Sequence, residues 1–354
     1  MIRVLVVDDS RLVRTVVREI LEADPEIQVV AEAENGLQAV EHCVSLGPDV
    51  VVMDIQMPVM DGLEAVERIM ARRPTPVIIL SATVSPGEVG SAFRAVRAGA
   101  FEALPKPEGV TCEETYAKMA ADLVARVRLY AKVGQRRGWR DQVEDGAEVA
   151  DLTAPRTSDR VVALGASTGG PRAVQRLLSS LPAPFPCPVL LVQHISLGFT
   201  RGFAQWLQRE VSLEVQVVER SARLRSGVVY LPLDGHHLEV RHDLVLLRDT
   251  APVNACRPSV DVLFGSVARE YAARGVAVLL TGMGRDGAQG ALQMKQAGAQ
   301  VLVQDEASCI VYGMPKAAVE VGAATRVVPL REMPSALLDA LSVPPEAVAE
   351  AGEQ

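Results

Sequence analysis

The run Val161-Val-Ala-Leu-Gly-Ala-Ser167-Thr-Gly-Gly-Pro171 ends an apolar stretch in small residues and sets a hydroxyl inside Gly165-x-Ser167-x-Gly169. That is the spacing of a nucleophile elbow, because small neighbours permit the sharp strand-to-helix bend that exposes a serine. Pro171 suits the first helical turn, and a helix N-terminus favours negative charge developing at the serine. A serine needs a base, and His194, closing the next apolar run PVLLVQH, would reach the same sheet edge. The base needs an acid, which Asp286 supplies in LLTGMGRDGAQG after the run GVAVLL. Ser167, His194 and Asp286 form the charge arrangement for acyl transfer: the hydroxyl attacks, imidazole takes and returns the proton, and the acid stabilises imidazolium. Glycines on either side of Met283 leave its backbone N–H able to approach a substrate as an oxyanion donor, a contact worth roughly 3 kcal/mol. The bland alternative is capping, since Ser167 and Asp286 both stand where a helix N-cap would, Asp286 before GAQGALQMKQAG. Nucleotide readings are weaker still: Gly170 is followed by Pro171 where a phosphate loop needs lysine, and the glycine order does not fit a dinucleotide fingerprint.

A second set of reactive groups lies nearer the N-terminus. Asp8 and Asp9 follow the first apolar run and Asp54 ends the third, so in a parallel sheet all three project from the carboxyl edge. Gathered carboxylates repel one another and call for a hard cation such as Mg2+. Ser81 and Lys106, at the ends of the fourth and fifth runs, add a hydroxyl and an ammonium. A carboxylate nucleophile, a metal and a fixed cation are what phosphoryl transfer to Asp54 requires.

Both sets depend on strands alternating with helices. From Ile2 to about Lys132 the near-continuous apolar runs Ile2–Val7, Ile27–Ala33, Val50–Asp54, Val77–Ala82 and Phe101–Pro105 predict parallel strands buried on both faces. A last helix over Cys112–Val133, with Leu123, Val127 and Tyr130 in one stripe, closes this domain over 1–133. The charged, weakly periodic stretch 134–158 reads as a linker. Strand and helix patterns resume for a second α/β domain over 159–345, followed by a tail at 346–354. Glu214–Arg248 is richer in strands and predicts an antiparallel edge or hairpin. The fold class is therefore α/β, two doubly wound parallel-sheet domains.

Composition sets limits on partners. A net charge of −8 and a pI near 5.3 argue against nucleic-acid binding. The five cysteines form no C-x-x-C pair, which suits reduced thiols. The N-terminus does not read as a secretory signal and no run reaches spanning length, so a cytoplasmic chain without membrane insertion is expected. His42 falls within a helix pattern. His236, His237 and His242 lie in a turn and strand without accompanying Cys or Glu ligands, which disfavours zinc there.

The pattern VVDDS, MDIQMPVMDG, SA and PKP resembles the receiver domain of two-component response regulators. The resemblance implies a flavodoxin-like fold, phosphorylation at Asp54, Mg2+ held by Asp8, Asp9, Asp54 and the main-chain carbonyl of Gln56, and switch roles for Ser81, Phe101 and Lys106. Ser81 stands where threonine is commoner, and Phe101 where tyrosine is. The later motifs GASTGGP, VQH with GFT, RPSVDVLF, LTGMGRDGA and QDEASCIVYGMPKAA resemble the catalytic domain of the CheB protein-glutamate methylesterases, with a Rossmann-like hydrolytic fold. That family carries its triad at the positions of Ser167, His194 and Asp286 and an oxyanion contact at Met283. It implies hydrolysis of γ-glutamyl methyl esters on chemoreceptors, with deamidation of glutamines through the same acyl-enzyme. It further implies no metal for that step, the chemotaxis histidine kinase CheA as phosphodonor, a monomeric enzyme, and an unphosphorylated receiver that covers the cleft. The segments VQHISLGFT and LPLDGHHLEV depart from the family pattern near the cleft but leave the triad untouched. Three rivals stand beside this reading: a non-catalytic adaptor of the receptor array, a receiver-regulated esterase or amidase of another substrate, and a DNA-binding regulator.

Overall fold

A computed structural model describes residues 1–81, 86–107, 113–135 and 159–342. The chain divides into two compact units, Met1–Asp145 and Gly146–Gln354. Most of the expected linker and the whole expected tail lie outside the described residues, as do Ala82 and Cys112.

The first unit runs Ile2–Val7 (β1), Arg11–Glu22 (α1), Ile27–Ala33 (β2), Gly36–Leu46 (α2), Val50–Asp54 (β3), Gly62–Arg72 (α3), Val77–Ser81 (β4), Pro86–Ala98 (α4), Glu102–Pro105 (β5) and Glu113–Gly134 (α5). The strands pair in parallel in the order β2-β1-β3-β4-β5. Every residue of β3 and β4 is buried, as their unbroken apolar sequence requires of strands with helices on both faces. Short polar side chains start the helices: Ser10, Asn35 and Asp61 accept hydrogen bonds from the N–H groups of Val13, Gln38 and Glu64. The order reverses beside β1, so the carboxyl ends of β1 and β3 flank the crevice where such sheets bind ligands.

The second unit has Val161–Ala166 (β6), Gly170–Ser179 (α6), Val189–Gln193 (β7), Thr200–Glu210 (α7), Glu214–Val218 (β8), Ser221–Arg223 (β9), Val228–Pro232 (β10), His237–Arg241 (β11), Leu244–Arg248 (β12), Val260–Tyr271 (α8), Gly275–Leu279 (β13), Ala288–Gln296 (α9), Gln300–Gln304 (β14), Met314–Glu320 (α10), Arg326–Val328 (β15) and Met333–Ser342 (α11). Seven strands form a parallel sheet in the order β15-β14-β13-β6-β7-β10-β8. The strand-rich segment 214–248 contains the expected antiparallel hairpin, β11–β12, together with strands of two other kinds. β8 and β10 extend the main sheet in parallel, while β9, β11 and β12 form a separate antiparallel sheet. The reason is packing: Leu238, Val240 and Val245 of the small sheet join Phe264 and Val267 of α8 in the domain core. β6 is the first strand and sits centrally, with β7 on one side and β13 on the other, so the crevice opens at its carboxyl end.

Candidate active site and phosphorylation site

Ser167 follows β6 directly and begins a tight turn in which its carbonyl accepts from the N–H of Gly170 at 2.7 Å. Gly169 takes φ 76°, a left-handed conformation that a side chain would strain, and α6 opens at once behind it. The serine therefore stands above a helix N-terminus, as the elbow spacing predicts. Its Oγ is engaged by no described residue.

His194 follows β7, the neighbouring strand. Its N–H donates to the Ala166 carbonyl at 2.9 Å, and the buried Gln193 amide donates to the carbonyls of both Ser167 and His194, at 2.9 and 2.8 Å. The register of β6 and β7 ends with Ala166 opposite Gln193, so Ser167 and His194 are each the next residue beyond the ends of adjacent strands. The ring's Nε2 lies 2.9 Å from Asp286 Oδ2. In the neutral ring this contact favours the proton on Nε2, with Nδ1 as the acceptor, the reverse of the commoner use of the two nitrogens. Nδ1 faces Cys256 Sγ at 3.9 Å.

Asp286 does not cap the helix that follows it. Gly287, at φ 89°, turns the chain into α9 without any side-chain cap. The carboxylate is instead directed at the start of α8. It accepts from Ser259 Oγ (2.7 Å) and from the N–H groups of Val260 (2.6 Å) and Asp261 (3.3 Å), with Asn254 Nδ2 adding a fourth bond at 3.1 Å. A helix N-terminus favours that negative charge. Burial pushes the Asp286 pKa up, but the hydrogen bond and charge of His194, with the bonds from Ser259 and Asn254, outweigh it and hold the carboxyl below its ordinary value. Burial likewise works against a charged imidazole, yet Asp286 and Cys256 overcome it and raise His194 to about 9.

Met283 lies on the turn after β13, and its backbone N–H donates to no described residue. Gly282 explains why this turn can lie against the serine: a Cβ there would come within 2.7 Å of Ser167 Cβ and would also strike Met314 Sδ. Thr281 secures the back of the turn through its hydroxyl, which donates to Thr168 O at 3.0 Å and accepts from Val311 N–H at 2.9 Å. Gly282→Ala is expected to push the Met283 turn away from Ser167 and to lower kcat about 100-fold, since a displacement near 1 Å has that cost. Steady-state ester hydrolysis alongside a thermal melt checks this. A variant that keeps its rate would separate Met283 from the chemistry.

Several participants were not singled out from the sequence as site residues. Asn254 and Cys256 precede RPSVDVLF and Ser259 lies within it, a motif that only the family resemblance picks out. Gln193 and Thr281 sat unremarked beside His194 and before Met283. His237 also contributes, because its Nδ1 accepts from Ser259 N–H at 3.1 Å and its Nε2 bonds the Ala251 carbonyl. It thereby fixes the residue that fixes Asp286.

In the first unit, Asp8, Asp9 and Asp54 bring one carboxylate oxygen each within 4.8 Å of one another. Lys106 Nζ bridges Asp8 Oδ2 at 2.8 Å and Asp54 Oδ2 at 2.9 Å. Asp54 Oδ1 accepts from Ile55 N–H at 2.7 Å. Burial raises the Asp54 pKa against the opposing pull of Lys106, so the lysine keeps a buried nucleophile usable. The donor set is all oxygen, which fits a hard divalent ion. Gln56 is exposed just past Asp54, and Ser81 is buried at the end of β4. Phe101 is also buried, its ring edge-on to Tyr130 of α5 at 5.0 Å.

The description of a CheB methylesterase matches residues 162–337, and that of a response regulator receiver domain matches residues 4–112. A protein-glutamate methylesterase/protein-glutamine glutaminase of Geobacter metallireducens is 41% identical over 95% of this chain and 98% of its own length. One from Myxococcus xanthus is 45% identical over 96% of this chain and 97% of its own. This chain belongs to the CheB methylesterase family. The CheB methylesterase catalytic domain of Thermotoga maritima, 36% identical, superposes with a TM-score of 0.50, covering 52% of this chain and 99% of that one. Ser167 and His194 directly follow β6 and β7, and Asp286 lies in the turn between β13 and α9. The receiver match carries with it a divalent-metal site for phosphorylation. No helix among the described residues is long and apolar enough to cross a membrane.

Proposed function

We propose that the chain is a phosphorylation-activated serine hydrolase that removes methyl groups from glutamate γ-esters of chemoreceptors, and deamidates receptor glutamines at the same site. The observation that supports this is the 2.9 Å contact of His194 Nε2 with Asp286, at the end of the strand beside the one that carries Ser167. Ser167 Oγ attacks the ester carbonyl as its proton passes to Nδ1. The tetrahedral oxygen takes the N–H of Met283, and the protonated imidazole gives its proton to departing methoxide, releasing methanol. Water, deprotonated in the same way, then frees the glutamate carboxylate and restores Ser167. An amide follows the same course and releases ammonia.

In the receiver, Asp8, Asp9, Asp54 and the Gln56 carbonyl would hold Mg2+, which neutralises phosphate charge when bound. Lys106 orients the Asp54 carboxylate, and Ser81 and Phe101 sense its modification. CheA is the proposed donor and the cytoplasm the compartment, with the enzyme working as a monomer and no nucleic acid as partner. The unit boundaries proposed are 1–133, 134–158, 159–345 and 346–354.

The test is methanol release from methylated receptor membranes with and without a small phosphodonor. Wild type is expected to accelerate with the donor, whereas Asp54→Ala, lacking the acceptor oxygen, keeps its unstimulated rate under both conditions. Stimulation of Asp54→Ala would remove Asp54 from the switch.

A second reading rests on the 3.9 Å approach of Cys256 Sγ to His194 Nδ1, which would make Cys256 the nucleophile. The elbow, the α6 N-terminus and the Met283 turn surround Ser167 rather than Cys256, and they favour the serine. Comparing Ser167→Ala with Cys256→Ser decides between the two.

A further inference from the structure

We infer that His194 Nδ1 and Cys256 Sγ form a binding site for a borderline-soft divalent cation such as Zn2+, and that occupancy of this site shuts off the hydrolase. This rests on the serine-hydrolase reading for its consequence but not for the binding itself. His194, Cys256 and Asp286 present ligand-type atoms within 4.8 Å of one another. They do not act alike, because the imidazole lies between the other two: Asp286 Oδ2 meets Nε2, and Cys256 Sγ faces Nδ1. Asp286 is therefore the outer carboxylate that orients and strengthens a metal-binding histidine, and the sulfur is the second ligand.

The geometry is close to that required. A tetrahedral zinc with Zn–S of about 2.3 Å and Zn–N of about 2.0 Å holds sulfur and nitrogen roughly 3.5 Å apart. The observed separation of 3.9 Å is a few tenths longer. Binding forms the S–metal and N–metal bonds while the thiol proton and, from a charged imidazole, the Nδ1 proton leave to solvent, with water filling the remaining positions.

The sulfur is also held in place. Val253 and Cys256 exchange both backbone hydrogen bonds, at 3.0 and 2.9 Å, around a two-residue turn in which Asn254 and Ala255 take φ 52° and 61°. Left-handed backbone at two non-glycine residues persists only where surroundings enforce it. Here Asn254 Nδ2 is tied to Asp286 and to Asp261, at 3.1 and 2.7 Å. The Nδ1 lone pair that the metal takes is the one Ser167 needs for its proton, so metal and catalysis exclude each other.

The experiment uses the full chain with excess Mg2+ to occupy the acidic receiver site. Titration with Cd2+ or Co2+ reads sulfur ligation directly, through the thiolate-to-metal charge-transfer band. Wild type is expected to show this band at one equivalent and Cys256→Ser to lack it. Asp286→Asn should keep the band with affinity about 10- to 100-fold weaker, as loss of an outer carboxylate predicts. In parallel, Zn2+ should inhibit wild-type ester hydrolysis reversibly by chelator. Cys256→Ser, scored against its own metal-free rate, should need at least about 10-fold more zinc. A band unchanged in Cys256→Ser, or no band in wild type, overturns the site. A band without any esterase activity in metal-free buffer would leave the site standing and refute the hydrolase reading instead.

Discussion

Ser167→Ala is expected to lower kcat for methyl-ester hydrolysis by about 10^4-fold or more, since removal of a nucleophile leaves only the contribution of binding and the oxyanion contact. KM should change little, because the hydroxyl makes no ground-state contact with any described residue and contributes chiefly in the transition state. Folding should be unaffected for the same reason: the Ser167 backbone, not its side chain, bonds Thr281, Gly170 and Gln193. The check is single-turnover methanol release alongside a thermal melt. A variant within about tenfold of wild type would exclude the serine mechanism and turn attention to Cys256.

Asp286→Asn should be nearly as damaging, by about 10^4-fold in kcat, because an amide no longer holds the imidazole in the required tautomer. Its cost extends to the fold. Asp286 accepts from five donors, and an amide NH2 would point donors at donors, costing about 1–3 kcal/mol for each group left unpaired. The pH profile separates the two effects. His194 must be neutral to take a proton, and in the fold it is raised to about 9 with Asp286 and Cys256 as the groups facing it. In chelator-treated buffer, kcat/KM of wild type should rise about tenfold per pH unit above neutrality and level off above about 9. Removing the acid removes the leading cause of the upward shift, so the rising limb of Asp286→Asn moves to lower pH even as its height falls. A limb that stays in place would mean that Asp286 does not set the charge on His194.

The same shifts predict stability. A histidine whose pKa is raised contributes stability in full below its unfolded value of 6.5, and that contribution is lost as pH rises through about 9. Asp286, held low, contributes above its unfolded value of 3.8 and loses that contribution as pH falls through its folded pKa. Melting temperature should therefore be highest between these limits and fall on both sides, with the fall muted in Asp286→Asn.

Much of this was legible in the residues themselves. Strands buried on both faces carry near-continuous apolar sequence, so β1, β3, β4, β6, β7 and β13 announced themselves as apolar runs, and a reactive residue directly after such a run had only one edge to occupy. Strand-end position placed Asp54 with Lys106 and His194 with Asp286, and set Ser167 at the end of the strand beside β7. The strands of 214–248 were less clear, because alternation alone does not tell whether a strand extends a parallel sheet or builds another. Their partners are chosen by packing on α8.

The chain's local chemistry thus determined which side chains could react and at which strand ends they stand. Tertiary structure decided how they are used. It directed Asp286 to the N-terminus of α8 rather than α9, gave Nε2 of His194 to the acid, and brought Cys256 to Nδ1 from a turn 62 residues further along the chain. Those choices depend on hydrogen bonds between residues distant in sequence, and the spacing of residues along a single strand or helix carries no record of them.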